Sequence, residues 1–264
     1  MNNLYEWLDS IRIVLSLAFL SYASWHDYKS REVSNKVWAF YAPLGLTLTL
    51  LHIFLTNNFS LLITLGISFS VFAGITIPLF YLGFFGGADV KVFLCLSLAM
   101  PFAPISSFPF LGFVSPLYGM SIFGNSVIIS ALTAVAMLLY NLLWYARTGT
   151  KLFEGLEHEP TLKKIIALFT GYKISVSEFK NKIHLAPMEE LTKEENGETM
   201  RTLRLFIRTD IDREAIIAQI KDLLGDQQKI WVTPYLPFIV FITIGFILTL
   251  LVGDIIFGIL MMTL

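Results

Sequence analysis

The sequence predicts a polytopic α-helical membrane protein with about six transmembrane helices, the fourth one short, and a small cytoplasmic α+β domain inserted before the last helix. Of the 264 residues, 55% are hydrophobic and only 15% are charged, whereas soluble domains carry roughly 25% charged residues. The charges are also concentrated, because residues 147–229 hold 14 of the 19 Lys and Arg and 14 of the 20 Asp and Glu. Apolar regions therefore flank one polar region.

Six apolar segments are expected to form the membrane helices. They are residues 4–28, 37–55, 60–80, 88–100, 121–145 and 238–252. A helix needs about 20 residues to cross a bilayer core of roughly 30 Å, so the short fourth segment cannot span the core unaided. The predicted organisation places the first five helices in residues 1–146, a soluble α+β domain in 147–230 and the sixth helix in 231–264.

The basic residues predict which side of the membrane each loop faces. The loop at 29–36, Lys91 and the polar region 147–229 all fall on one side if both termini face the other side. The positive-inside rule makes the basic side cytoplasmic. Arg12, at the outer end of the first segment, disagrees with this arrangement. The expected location is a membrane crossed several times, with both termini non-cytoplasmic.

Within the polar region the residue pattern predicts helices, strands and one acidic loop. Helical spacing and β-type alternation indicate two helices and two strands, at residues 161–169, 212–224, 202–209 and 229–233. The acidic run 189–198 is expected to be an exposed loop. The net charge of −1 does not predict nucleic-acid binding.

Two aspartates outside the polar region are the candidate catalytic residues. Asp27 and Asp89 each lie where a predicted membrane segment meets the cytoplasmic side, which allows them to meet across helices. Neighbouring carboxylates share a proton, so one can activate water as a general base while the other donates a proton to the carbonyl and the leaving amine. Two structural alternatives stay open, namely pairing of Asp27 with Arg31 and capping of a helix by Asp89.

The second aspartate follows two glycines in the motif Gly86-Gly87-Ala88-Asp89-Val90-Lys91. The glycines permit a flexible turn, and Lys91 is expected to extend toward water or phosphates. Asp254 follows Gly253 in a similar way, but it lies near the opposite membrane side and is expected to be structural. We found no zinc-peptidase, serine-hydrolase or cysteine-nucleophile motif, so neither a metal nor a cofactor is expected.

These motifs resemble those of the type IV prepilin peptidase-like family of GxGD intramembrane aspartyl proteases. Residues 86–91 look like the Gly-x-x-Asp-x-Lys form of the motif, with Ala88 in place of a glycine. Asp27 and the following 31–35 (Arg-Glu-Val-Ser-Asn) are similar to the first aspartate and its downstream Ile-Pro-Asn segment, with Ser34 in place of proline. The six segments, the inserted domain and the stretch 232–238 resemble those of archaeal preflagellin peptidases in particular.

The resemblance implies a membrane aspartic endopeptidase in which Asp27 and Asp89 cleave short basic class III signal peptides from preflagellins and pilin-like precursors at the cytoplasmic face. The paired CxxC cysteines of methylating bacterial relatives do not occur here, so no N-methyltransferase activity is expected. The acidic run 189–198 could attract such leaders or be a solvated loop. The alternatives from other classes are a proton-coupled transporter and a secretion-machine scaffold, and the oligomeric state is left open.

Overall fold

The computed structural model describes residues 2–105, 109–182, 184–193, 199–205, 217, 220 and 223–263. The helices are α1 (Asn2–Ser30), α2 (Asn35–Thr56), α3 (Ser60–Tyr81), α4 (Gly87–Ala99), α5 (Tyr118–Thr148), α6 (Thr161–Thr170), α7 (Val176–Asn181), α8 (Phe238–Leu251) and α9 (Ile255–Thr263). The strands are β1 (Tyr172–Ser175), β2 (Leu185–Pro187), β3 (Glu189–Lys193), β4 (Thr199–Leu203) and β5 (Lys229–Pro234). The chain divides into two compact units, unit 1 (1–130 with 237–264) and unit 2 (131–236).

The helices are those of a membrane protein. Among the described residues, α2, α3 and α5 are long and apolar enough to cross a membrane, and α8 with α9, which meet at 48°, form a fourth candidate if they are one span. Helix α1 has 29 residues but is more polar, and α4 has 13 residues, as predicted. A mostly helical membrane protein is therefore confirmed, whereas the count of six spans stays a prediction.

The short helix α4 lies at the centre of unit 1. It packs against α1, α2, α3 and α8, and its Phe93 and Leu96 side chains are almost completely buried. The Cys95 thiol is also buried and lies 3.9 Å from the carbonyl oxygen of Trp38 in α2. A short apolar helix surrounded by longer ones explains how 13 residues can lie in the core without spanning it.

Arg12 is part of a buried ionic cluster in unit 1. Its Nη1 donates to Asp9 Oδ1 at 2.8 Å, its Nε donates to the Ala99 carbonyl at 3.1 Å, and its guanidinium lies 4.5 Å from the Phe102 ring centroid. His52 Nδ1 is 3.1 Å from the same Asp9 oxygen. Because the charge is neutralised within the protein, Arg12 does not report on which aqueous phase it faces. Arg12 therefore does not count against the predicted orientation, which stays a prediction.

Unit 2 contains two small antiparallel sheets. One has the strand order β1-β5-β2, and the other pairs β3 with β4. Helix α6 and strand β5 confirm the predictions for 161–169 and 229–233. Of the predicted helix 212–224, most lies outside the described residues, and residues 217, 220 and 223 are helical.

The strand predicted at 202–209 is wrong in its position. Strand β4 ends at Leu203, and Arg204 leaves the ladder to donate its N–H to the Met188 carbonyl at 2.7 Å. The strand extends toward Thr199 because its register with β3 pairs Leu203 with Glu189. Residues 206–209 lie outside the described part of the chain.

The prediction of an exposed acidic loop is also wrong for residues 189–193, which form β3. Glu189 is only 7% exposed, and its carboxylate accepts hydrogen bonds from Arg201 Nε and the Trp231 N–H, both at 2.7 Å. The paired Glu189 side chain is buried, so it does not contribute to an exposed negative surface. Residues 194–198 lie outside the described residues.

Candidate active site

Asp89 lies in the first turn of α4 and bonds back to the residue that starts the helix. Its Oδ2 accepts the Gly86 N–H at 2.9 Å, and its own N–H donates to the Gly86 carbonyl at 3.1 Å. Asp89 is thus the third residue of the helix rather than the N-cap, and it caps the turn from within. Its Oδ1 has no hydrogen-bond partner in the described part of the chain and is available to water or a substrate.

The glycines before Asp89 act differently from the flexible turn that was predicted. Gly86 has φ −75° and ψ 159°, a conformation open to any residue. A Cβ on Gly86 would lie 3.2 Å from Asp89 Oδ2, whereas one on Gly87 would approach only Phe80, at 3.8 Å. The left-handed residue of this turn is Gly83, with φ +78°. Gly86 is therefore needed for space beside the carboxylate, and Gly83 for the turn.

The remaining motif positions hold α4 in place. Ala88 packs against the apolar core of unit 1. The Lys91 side chain is exposed, and its Nζ donates to Asn35 Oδ1 at 2.7 Å. Asn35 is the first residue of α2, and Ser34 before it is the N-cap with φ −57°. That angle is one that proline also adopts, so Ser34 preserves the local backbone.

Asp27 lies near the end of α1 and faces the start of α8. Its Oδ2 accepts the N–H of Ile239 at 3.2 Å, and Ile239 lies in the first turn of α8, where backbone donors have no intrahelical partner. The partial positive charge of a helix N-terminus stabilises a carboxylate there. Ser24 and Thr243, whose hydroxyl oxygens are 2.6 Å apart, join the same two helices.

Asp27 and Arg31, whose ion pairing is one of the two structural alternatives, are joined by a backbone hydrogen bond. The Arg31 N–H donates to the Asp27 carbonyl at 3.2 Å, and Arg31 adopts φ +60° just after α1 ends. No ion pair within 4.0 Å joins their side chains in the described structure. The Asp27 carboxylate is therefore not occupied by a salt bridge, and its Oδ1 has no hydrogen-bond partner among the described residues.

The two aspartates are brought together by contacts around the glycine turn. The Phe85 ring before the motif lies 5.1 Å from the Phe238 ring at the start of α8. The Asp27 and Asp89 carboxylates are near enough for the charge of one to act on the other, and no direct hydrogen bond joins them in the described structure. Each is held through one oxygen by a backbone N–H at a helix N-terminus. This geometry leaves one free oxygen on each carboxylate, as two groups acting on a shared water require.

Sequence reasoning missed two parts of this arrangement. Asn35 was recognised only as part of a motif, and nothing in the spacing indicated its bond to Lys91. The sixth apolar segment predicts the start of α8 at residue 238, but not the carboxylate that binds the Ile239 N–H. Asp254, expected to be structural, accepts the Phe257 N–H at 3.0 Å and the Ser121 hydroxyl at 2.8 Å. Among the described residues, no three His, Cys, Asp or Glu side chains are grouped as metal ligands.

An apolar helical unit that contains two carboxylates, each bonded to a backbone N–H at the start of a helix, indicates a membrane protein with the groups of an aspartic peptidase. Residues 14–142 match the type IV leader peptidase family, and residues 163–255 match the family described as archaeal peptidase A24 C-terminus type II. The chain belongs to the type IV leader peptidase family. The first matched range contains both aspartates, and the second contains the Ile239 N–H that binds Asp27.

Full-length relatives support the same assignment. The chain is 28% identical to the preflagellin peptidase of Methanococcus voltae over 254 residues, which cover 92% of this chain and 96% of the relative. It is 26% identical to the preflagellin peptidase of Methanocaldococcus jannaschii over 260 residues, or 94% and 97% of the two chains. A third preflagellin peptidase, from Methanococcus maripaludis, is 24% identical over 249 residues, or 92% and 96%.

Proposed function

We propose that the protein is an aspartic endopeptidase that removes short basic class III signal peptides from preflagellins and pilin-like precursors. The observation that carries the proposal is the pair Asp27 and Asp89, each held by one backbone N–H and each with a free Oδ1. Relatives named preflagellin peptidases, aligned over nearly their whole length, support the choice of substrate.

In the proposed reaction, the aspartate pair shares one proton. The ionised carboxylate removes a proton from a water molecule, whose oxygen attacks the scissile carbonyl carbon, while the protonated partner donates to the carbonyl oxygen. The tetrahedral intermediate collapses when the C–N bond breaks: the departing amine takes a proton from the pair, and one hydroxyl of the intermediate returns a proton to the pair as the new carboxyl group forms. The backbone N–H groups at the two helix starts fix the carboxylates throughout, and no metal or cofactor takes part.

The proposal includes the topology. Six spans with both termini non-cytoplasmic would place Asp27 and Asp89 at the cytoplasmic face, where a leader emerges before the hydrophobic helix of its precursor. The division into residues 1–146, 147–230 and 231–264 belongs to this proposal. Its support is the basic-residue distribution, together with burial of Arg12, the one residue that disagreed.

The test is cleavage of a purified preflagellin by the purified full chain in detergent. Asp27→Asn and Asp89→Asn should each lower the cleavage rate by on the order of 10³-fold. Asp254→Asn is the matched control, because an amide oxygen can still accept the Phe257 N–H, and it should retain most of the activity. If either of the first two variants processes the leader at the wild-type rate, the proposed mechanism is wrong.

A further inference from the structure

Unit 2 contains a cleft of about 380 Å³ whose walls are rich in cationic side chains. The charged residues that line it are Lys151, Lys173, Arg201, Lys229 and Glu154. Four positive groups facing one negative group in a space of this size form a region of positive potential. The volume is within the range of sites that bind small molecules, roughly 300–1,000 Å³.

The lysines of this cleft are not neutralised by ion pairs. Arg201 is paired with the buried Glu189, and its Nη2 also donates to the Lys229 carbonyl at 2.8 Å. In the described part of unit 2, neither Lys151, Lys173 nor Lys229 has a carboxylate oxygen within 4.0 Å. The Glu189–Arg201 pair thus fixes one wall, while three ammonium groups keep their hydrogen-bonding capacity for a ligand.

The surroundings of Lys173 in the cleft change the pKa of its ammonium group. It is partly buried, and its Nζ lies 3.5 Å from the Lys151 carbonyl. Burial lowers the pKa of Lys173, and Arg201 and Lys229 lower it further, against the opposing effect of Glu189 and Glu154. An anion in the cleft would relieve the repulsion among these cations.

The cleft also includes the end of a membrane-capable helix. Lys229 Nζ lies 4.5 Å from the Trp144 ring centroid, and Trp144 is in the last turns of α5. Helix α5 is one of the candidate spans, and tryptophan is enriched where spans meet the lipid headgroups. The cationic groups therefore lie beside the end of a candidate span, and the headgroup phosphates of a bilayer lie at the ends of spans.

We propose that this cleft binds the phosphate group of an anion through Lys151, Lys173, Arg201 and Lys229. The phosphate can come from the headgroup of an anionic phospholipid or from a small soluble phosphate, since both present the same oxygens to lysine and arginine. A basic leader peptide has the same sign of charge as the cleft and does not fit it. This site is therefore independent of the proposed peptidase function.

The experiment measures binding to the full chain, purified in an uncharged detergent, by titration calorimetry with three probes. These are short-chain phosphatidylglycerol, short-chain phosphatidylcholine and inorganic phosphate. Phosphatidylglycerol should bind saturably to the wild type and about tenfold or more weakly to the Lys173→Gln/Lys229→Gln variant. The matched control Lys164→Gln removes a charge outside the cleft, where Nζ donates to the Glu157 carbonyl, and should bind like the wild type.

The probes distinguish the two sources of phosphate. Binding of phosphatidylglycerol but not of inorganic phosphate identifies a lipid site, and equal binding of inorganic phosphate identifies a soluble ligand. The Lys173→Arg/Lys229→Arg variant keeps both charges and should retain binding, which separates loss of charge from loss of fold. Absence of saturable binding of both anions, or equal binding by the Gln variant, would overturn the proposal. Preflagellin cleavage, measured in parallel, tests the peptidase separately.

Discussion

At one end of α1, Asp9 uses both carboxylate oxygens, whereas near the other end Asp27 uses only one. Asp9 Oδ1 binds Arg12 and His52, and its Oδ2 accepts the Ile105 N–H at 2.7 Å. Among the described residues, Asp27 accepts a hydrogen bond only from the Ile239 N–H. Both lie on one helix in one unit, so residue type and helix position do not separate them. They differ in the number of carboxylate oxygens that have no hydrogen-bond partner among the described residues. An oxygen without a partner can bind a reactant, whereas a carboxylate with both oxygens bonded is structural.

The other two aspartates of unit 1 follow the same division. Both oxygens of Asp254 accept hydrogen bonds, from the Phe257 N–H and the Ser121 hydroxyl. We call a carboxylate with both oxygens bonded, such as Asp254 or Asp9, closed. One oxygen of Asp89 accepts the Gly86 N–H. We call a carboxylate with only one oxygen bonded among the described residues, such as Asp89 or Asp27, open. A glycine lies just before each residue in sequence, Gly253 next to Asp254 and Gly87 two positions before Asp89, yet the hydrogen bonds assign the two aspartates to different groups.

The largest expected effect tests whether the open carboxylates act as one unit. Asp27→Asn and Asp89→Asn should each lower the cleavage rate of preflagellin by on the order of 10³-fold, and the double variant should lose little more. Single-turnover cleavage by the three purified variants is the measurement. If the rate loss of the double variant equals the product of the two single losses, the two carboxylates work independently and the proposed pairing is wrong.

Removal of a closed carboxylate should instead affect stability. Asp9→Ala leaves Arg12 buried without its partner, and the expected cost is roughly 3–5 kcal/mol of folding stability. Asp27→Ala removes one hydrogen bond to a backbone N–H and should cost about 1 kcal/mol. Unfolding midpoints of the detergent-solubilised chain provide the comparison, and Asp9→Ala/Arg12→Leu should recover part of the loss. Equal midpoints for the two single variants would contradict the division.

The two motif glycines should differ in their tolerance of a methyl group. Gly86→Ala places a Cβ about 3.2 Å from Asp89 Oδ2, and the displaced carboxylate should lower kcat about tenfold. Gly87→Ala, with its nearest contact at 3.8 Å, is the control and should cleave like the wild type. Similar kcat values for both variants would show that the space beside Asp89 is unimportant.

The smallest expected effect extends the comparison to unit 2, where Glu159 is also closed. Its Oε1 accepts the Leu203 N–H and its Oε2 pairs with Lys163 at 2.9 Å. Burial raises the pKa of Glu159, but these bonds outweigh burial and hold it below the ordinary 4.5. The stabilisation is therefore complete above about pH 4.5 and is lost as pH falls through the lower pKa of the folded state.

The measurement for Glu159 is the unfolding temperature of the full chain between pH 6 and pH 3. On acidification the wild type should lose roughly 2–4 °C more than Glu159→Gln, which cannot ionise. The Glu178→Gln variant changes an exposed acid in α7 and should follow the wild type. Parallel curves for the wild type and Glu159→Gln would mean that this closed carboxylate contributes no pH dependence.

The sequence predicted the features that depend on composition and spacing. The length of α4 and the bounds of α6 and β5 follow from apolar runs and from where charges interrupt them. The burial of Glu189 could not be predicted, because an acidic residue in a short strand has the same local pattern as one in a loop. Its partner Arg201 lies 12 residues away, and only the β3-β4 register brings them together.

The spatial role of the glycines was equally hidden. A glycine that avoids contact with a neighbouring carboxylate, such as Gly86, looks in sequence like one that permits an unusual backbone angle. The bond between Lys91 and Asn35 spans 56 residues, so it depends on how α2 packs against α4. Tertiary contacts of this kind cannot be read from local spacing.

The burial of Cys95 makes the native chain suitable for spectroscopic labelling. It is the single cysteine in the sequence, and its thiol is shielded within α4. Reporter groups attached to cysteines introduced at exposed positions such as Tyr28 and Tyr81 would therefore label only those sites. The distance between two such reporters, with and without a precursor peptide, would follow movement of the α3–α4 turn relative to α1 in an otherwise unaltered protein.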